Sequence, residues 1–260
     1  MPDGQSFKGI KADQLCLDKL RAEICGPFVL ICFDPTVPSF REHLARFSAE
    51  FDTAFGNHRL FGVWQTDHPV NWKIVVENAV ESYHVPLVHP TTFGNYRASE
   101  LHDHQLEPTY SRYADLQPWD NLLVSRGFRT LAKLLLRSPN YERFKHTHVY
   151  PNHLLCYGDL MSTWTVVEPL SATRCRYTLF AFVPQPVRWG VFGRLVQTLS
   201  SNLLMRQLKK ILREDMDLWP KVQGGLVGSL HKGVLSCREE RIWAFQRYLE
   251  GSSAQSSGPF

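Results

Sequence analysis

The chain has 260 residues, 43% of them hydrophobic and 21% charged, which suits one large globular domain and excludes a disordered, collagen-like or coiled-coil chain. Twenty-nine basic residues against 25 acidic ones leave a net charge of only +4, so no global charge argues for a nucleic-acid partner. The longest unbroken apolar run, Phe28 to Phe33, is far short of the ~20 residues that cross a bilayer.

The amino terminus, MPDGQSFKGI, has neither the basic nor the apolar region of a secretory signal. The six cysteines therefore read as reduced thiols of a cytoplasmic protein. Lys19 to Phe33 reads as extended segments that stop at Asp34-Pro35. Ser39-x-x-Glu42 has the form of a capping box, opening a short helix through about Phe47. Residues 59–65 are rich in aromatic and β-branched types and predict a strand. Asn71 can cap a helix through Trp72, Val75, Val76, Ala79, Val80 and Tyr83.

Further strands are predicted around 99–106, 109–115, 145–157, 160–168 and 173–184, with a helix at 128–137. From about 188 to 219 the pattern is helical, with Leu195, Leu199, Leu203, Leu204, Leu208 and Leu212 on one side. Pro220 and the Gly224-Gly225 pair predict its stop. A last helix spans about 238–249, and 251–260 reads as a disordered tail. The sum is an α+β domain: a curved antiparallel sheet with long helices laid on it.

Chemistry concentrates in residues 71–90, NWKIVVENAVESYHVPLVHP. His84 and His89 would stand ~140° apart on an unbroken helix, too far to share an ion. Pro86 lies between them and is expected to break the helix, letting the two imidazoles converge. Two histidines plus one carboxylate, with open positions, is the donor set of non-haem Fe(II) and O₂ chemistry. The carboxylate is sought in REDMDLWPKVQGGL, residues 213–226. Glu214 and Asp215 point ~100° apart on a helix, so only one can face the pair. Asp215 shares a face with Leu208, Leu212 and Trp219, whereas Asp217 falls on the solvent side. Helical geometry therefore favours Asp215.

These segments resemble the catalytic domain of the large (α) subunits of Rieske non-haem iron ring-hydroxylating oxygenases. Asn71-Trp72-Lys73, Glu77-Asn78, Glu81-x-Tyr83-His84 and His89-Pro90 stand in the register of that family's signature. Glu214-Asp215, then Gln223, Gly225 and Leu226, match its carboxy-terminal counterpart, and VYPNHLL at 149–155 and EERIWAFQRYL at 239–249 add to the likeness. The resemblance covers about residues 19–250. It implies a helix-grip fold, with the sheet wrapped around a long carboxy-terminal helix, and a catalytic domain over 36–250. It also implies iron ligands His84, His89 and Asp215. Glu81 would be a catalytic carboxylate bridging the iron site to a neighbouring subunit's Rieske cluster. A glutamate there is shared with the branch that acts on quaternary amines.

The family's [2Fe–2S] cluster needs C-x-H and C-x-x-H. None of Cys16, Cys25, Cys32, Cys156, Cys175 and Cys237 has a histidine two or three places on. Residues 1–35 read as the remnant of a Rieske domain's end, with truncation the expectation and a cluster supplied by a second chain the alternative. The resemblance further implies O₂, a small organic substrate, a ferredoxin or reductase as electron donor, and a homotrimer. The competing class is a non-catalytic helix-grip module that binds a small molecule, or an inactive fragment. His102-x-His104 and His146-x-His148 could each aim two imidazoles to one face of a strand, and pocket-lining or surface histidines are the favoured reading over zinc. Arg206, Lys209, Lys210 and Arg213 form a basic cluster, read as a solvated face, with docking of an acidic electron carrier as its functional alternative.

Overall fold

A computed structural model describes residue 17 and residues 19–56, 58–92, 103–116, 143–158, 160–185, 190–231 and 233–256. Two short strands, β1 (Arg21–Cys25) and β2 (Phe28–Cys32), form a hairpin whose turn is closed by Gly26 at φ +55°. That left-handed conformation strains any residue with a Cβ. Helix α1 (Phe40–Leu44) begins at the Ser39–Glu42 capping box, with Ser39 N donating to Glu42 at 2.7 Å and Glu42 N to Ser39 Oγ at 3.2 Å. A 3₁₀ turn leads to α2 (Ser48–Phe55), which the sequence reading omitted. Its signal is present, since Phe47, Phe51, Ala54 and Phe55 recur at helical spacing and all are buried.

Seven strands then build one sheet: β3 (His58–His68), β4 (Asp103–Leu106), β5 (Tyr110–Leu116), β6 (Arg143–Val149), β7 (His153–Tyr157), β8 (Ser162–Ser171) and β9 (Arg174–Pro184). Their order is β3-β9-β8-β7-β6-β5-β4, antiparallel throughout. The strand predicted over 145–157 is in fact two strands, folded back at Tyr150-Pro151-Asn152. Proline has no N–H for a ladder, so the pairing turns there. The helix predicted at 128–137 lies outside the described residues.

Strand alternation divides the sheet into two chemically different faces. One row of partners runs Tyr113, His146, Cys156, Thr163, Ala181 and Gly62 across the strands. Beside it run Ser111, His148, Leu154, Thr165, Leu179 and Trp64 on the same face. This inner face meets α3 (Trp72–Val80), the long α5 (Gly190–Gly228) and the carboxy-terminal α6 (Glu240–Ser256). The outer face carries Tyr110, Tyr157, Trp164 and Phe182, on which Phe28, Phe51 and Phe55 pack edge-on, while Phe40 stacks on Trp164 and Phe47 on Tyr157. A seven-stranded antiparallel sheet around a long helix is the helix-grip arrangement expected of the sequence.

The long helix departs from expectation twice. It continues through Pro220 and Gly224-Gly225 to Gly228. An interior proline costs roughly 3 kcal/mol. Contacts on both sides of it offset that cost: Trp219 is 2% exposed and donates from Nε1 to Asn78 at 2.6 Å, and Gln223 accepts from Asn71 N at 2.5 Å. Its amino-terminal half also faces the other way. Leu195, Leu199 and Leu203 are exposed, whereas Gln197, Ser200 and Ser201 are buried. Gln197 donates to the Pro184 carbonyl and accepts from Arg59 at 3.0 Å, so hydrogen bonds to the end of β9 and to β3 set the rotation of this half. Leu208 and Leu212 do pack on the core. The last helix carries on through Ser256, into the segment read as a disordered tail.

Candidate metal centre

Helix α3 forms because Asn71 caps it, accepting from Lys73 N at 2.9 Å, and because Ile74, Val75, Val76 and Val80 share its buried side. Burial of each such side chain contributes about 1.5–3 kcal/mol. The helix ends at Val80, not at Tyr83 or Pro86 as the periodicity suggests. Glu81 is extended (φ −108°, ψ 166°), and its carboxylate turns forward to accept from Tyr83 N at 2.7 Å and His84 N at 3.2 Å. Those N–H groups lead into a new turn, α4 (Val85–Val88), with His84 and His89 flanking its two ends. Pro86 sits in its first turn, where a missing N–H breaks no hydrogen bond. The break that lets the imidazoles converge is thus made by Glu81, and Pro86 starts the next helix.

Asp215 arrives from α5. Its Oδ1 lies 3.0 Å from His89 Nε2 and 3.5 Å from His84 Nε2, and one donor atom from each residue falls within 4.8 Å of the others. The site is sheltered, with the His84 and Asp215 side chains each 14% exposed and His89 2%. Asp217 is exposed, and Leu208, Leu212 and Trp219 share the core-facing side with Asp215.

Each histidine is gripped from behind by its own carboxylate. His84 Nδ1 donates to Glu81, and His89 Nδ1 donates to Glu214 at 2.7 Å. Thr92 Oγ1 donates to the same Glu214 oxygen at 2.7 Å, and Thr91 to the other at 3.3 Å. The sequence reading weighed Glu214 only as a rival to Asp215. Its position 100° round the helix from Asp215 puts it behind the imidazole that Asp215 faces. Such partners fix the tautomer and orientation of a liganding imidazole. With Nδ1 spent as a donor, Nε2 of each ring turns inward towards Asp215.

The charges are tuned accordingly. Burial opposes protonation of His84, but the Asp215 and Glu81 carboxylates outweigh it and raise its pKa to about 9. His89 moves the same way, burial again being outweighed, here by Asp215 and Glu214. Burial would raise the Asp215 and Glu214 pKa values, yet the histidines hold both below the usual carboxylate range. Asp215 Oδ1 is buried and accepts no hydrogen bond, although the two imidazole Nε2 atoms lie close to it. A buried carboxylate oxygen left so is costly unless a cation satisfies it. Two imidazole nitrogens and one carboxylate oxygen are the donors a divalent first-row metal takes, so the residues fit one.

The remaining sequence candidates fall elsewhere. His104 donates to Glu240 at 2.8 Å, and His102 lies outside the described residues. His146 and His148 are buried on the inner face, bonded to Arg241 and to the Pro151 carbonyl. Among the described residues the cluster of three that could hold a metal ion is His84, His89 and Asp215, and His146 and His148 are not part of it. Arg206, Lys210 and Arg213 are exposed, and Lys209 lies 5.4 Å over the Trp64 ring. Cys25, Cys32, Cys156 and Cys175 are free thiols. No helix among the described residues is long and apolar enough to cross a membrane.

Comparison with known proteins gives this geometry a family. Residues 55–251 match the family described as ring hydroxylating alpha subunit, catalytic domain. The large oxygenase component of a salicylate 5-hydroxylase from Ralstonia sp. is 30% identical over 117 residues, 43% of this chain and 28% of that protein. Among solved structures, a quaternary ammonium Rieske monooxygenase in complex with L-carnitine superposes with a TM-score of 0.71 at 17% identity, over 97% of this chain and 66% of that one. A naphthalene 1,2-dioxygenase variant bound to phenanthrene gives 0.64 at 16%, over 88% and 63%. At such identities the structural likeness is one of fold, and the chain spans less than two thirds of the length of these relatives. Motif, fold and family match agree, and the chain belongs to the ring-hydroxylating α-subunit family of Rieske oxygenases, as its catalytic domain.

Proposed function

We propose that this domain is a mononuclear Fe(II)-dependent oxygenase centre, with His84, His89 and Asp215 as the iron ligands. The observation that carries the reading is the convergence of two inward Nε2 atoms on a buried, unpartnered Asp215 oxygen. Bound Fe(II) supplies O₂ activation, for insertion of oxygen into a small organic substrate. The chain's own residues do the rest. Glu81 and Glu214 lock the two rings in the metal-binding tautomer, and α3, α5 and the sheet's inner face shelter the site from water. Glu81, hydrogen-bonded to His84 and next to the exposed Tyr83, is the residue through which an electron donor's domain would approach.

Turnover needs electrons from a Rieske cluster supplied from elsewhere and fed by a ferredoxin or reductase, with a homotrimer as the expected assembly. Two substrate classes are in play: an aromatic ring, as in the salicylate hydroxylase, and a quaternary amine, as in the carnitine-bound monooxygenase. Glu81 favours the amine, for oxidative N-demethylation or hydroxylation. The intact donor set argues against the alternative of a non-catalytic ligand-binding module.

Anaerobic Fe(II) loading followed by metal analysis tests the centre. About one iron per chain is expected, lost in His84→Ala and in Asp215→Ala; unchanged iron in both variants would sink the site. Single-turnover assays with a chemical reductant, comparing salicylate with carnitine, then separate enzyme from binder and one substrate class from the other.

A further inference from the structure

Arg241, in the first turn of α6, is completely buried, 0% exposed. Among the described residues no carboxylate pairs with it. A buried cation without a counter-charge is destabilising unless other groups compensate. The guanidinium has only donors, and it spends them on four neutral acceptors. Nε donates to Ser111 Oγ at 3.2 Å and Nη2 to the Ser111 carbonyl at 3.2 Å. Nη2 also reaches His146 Nδ1 at 3.2 Å, and Nη1 donates to the Val80 carbonyl at 3.1 Å. The Tyr113 ring lies 5.1 Å away, within cation–π range. Since Arg241 can only donate, His146 must accept at Nδ1, and burial, with the adjacent cation adding to it, keeps that imidazole neutral.

The acceptor that matters is Val80. It is the last residue of α3, and the final carbonyls of a helix have no partner within it and carry its negative dipole end. A cation there is both a hydrogen-bond cap and a counter-charge to that dipole end. The Val80 carbonyl also shares a rigid planar peptide unit with the Glu81 nitrogen. Holding that oxygen therefore holds the plane from which Glu81 departs into its extended conformation, and with it the carboxylate that orients His84.

From this linkage we infer that Arg241 is a positioning residue for the metal centre: it ends α3 at Val80 and so aims Glu81 at His84. The inference rests on the reading of His84, His89 and Asp215 as metal ligands. Arg241 touches none of the three. Its effect on the metal must pass through Glu81.

Co(II), a spectroscopic stand-in for Fe(II), is the probe, titrated into the full chain and followed by its visible absorption, with thermal melting monitored in parallel. Arg241→Lys keeps a buried cation but cannot span Ser111 and Val80 together. It is expected to bind Co(II) about tenfold more weakly, the lower end of the loss typical of groups behind metal ligands. In a Glu81→Gln background the same change should have little further effect, because the coupled step is already lost. Should Arg241→Lys not fold, Ser111→Ala, which removes only one acceptor, serves instead, with an expected severalfold loss that again requires Glu81. Equal Co(II) affinity in the variant and the parent, or losses that multiply independently in the double variant, would overturn the inference. Failure of the parent to bind Co(II), or undiminished binding by His84→Ala, would instead overturn the metal reading beneath it.

Discussion

The two faces of the sheet are built from the same strands and solve different problems. The outer face is aromatic: Trp164 touches Phe28, Phe40 and Phe51, and those rings meet mostly at steep angles, as ring quadrupoles favour. Its polar groups are sealed off, as where Trp164 Nε1 donates to His153 at 2.9 Å. The inner face has an apolar cluster too, but buries His146, His148, Thr163 and Thr165 among it and carries the helices that hold the triad. The outer face is thus closed mainly by packed rings, whereas the inner face holds its buried polar groups beside an apolar cluster that includes Val75, Val76, Leu179 and Phe245.

Both faces nevertheless bury neutral histidines, and acid should expose that shared weakness first. Burial lowers the pKa of His148, on the inner face, to about 3 and that of His153, on the outer face, to about 4. In the unfolded chain each titrates near ~6.5. Above that value neither state takes the proton. As pH falls, the unfolded chain binds it first, so stability declines from about pH 6.5 down to the folded values, by up to about 1.4 kcal/mol per pH unit for each histidine. Denaturant titrations at pH 7, 6 and 5 should show this decline, and flat stability over that range would mean both rings reach solvent.

The next largest effect separates the faces. Trp164→Ala should cost about 3–5 kcal/mol, the loss typical of an emptied aromatic site, while the folded protein keeps the parent's Co(II) affinity. A Co(II) affinity that fell along with stability would mean the faces are not independent. The inner-face counterpart is smaller in energy and opposite in kind. Glu214→Gln keeps the size of the group behind His89 but not its charge, and should weaken Co(II) binding by about 10–100-fold, with little change in melting temperature. An unchanged affinity would leave Glu214 as no more than a helix-surface partner of Thr91 and Thr92.

Much of the site was readable because its parts are local. The Asn71 cap, the α3 periodicity and the Ser39–Glu42 box depend on residues within one or two helical turns. Asp215 could be preferred over Asp217 because helical angle follows from spacing alone. Helical angle separates Glu214 from Asp215 but does not place it behind His89, since whether a carboxylate faces a metal or stands behind a ring depends on where that ring lies. Leu195, Leu199 and Leu203 fit an apolar stripe equally well, yet they face outward because Gln197 finds the Pro184 carbonyl on the opposite side.

The motif pair, the alternation that splits the sheet into two faces, and the types of donor available to a metal are all written in short stretches of chain. That α3 stops at Val80, that α5 runs on through Pro220, and which carboxylate stands behind which histidine emerge in the folded chain. The difference is one of range. Periodicity and capping are fixed by neighbours along the chain, whereas Arg241 on Val80, Gln223 on Asn71 and Asp215 between two imidazoles are partners distant in sequence, which only packing brings together.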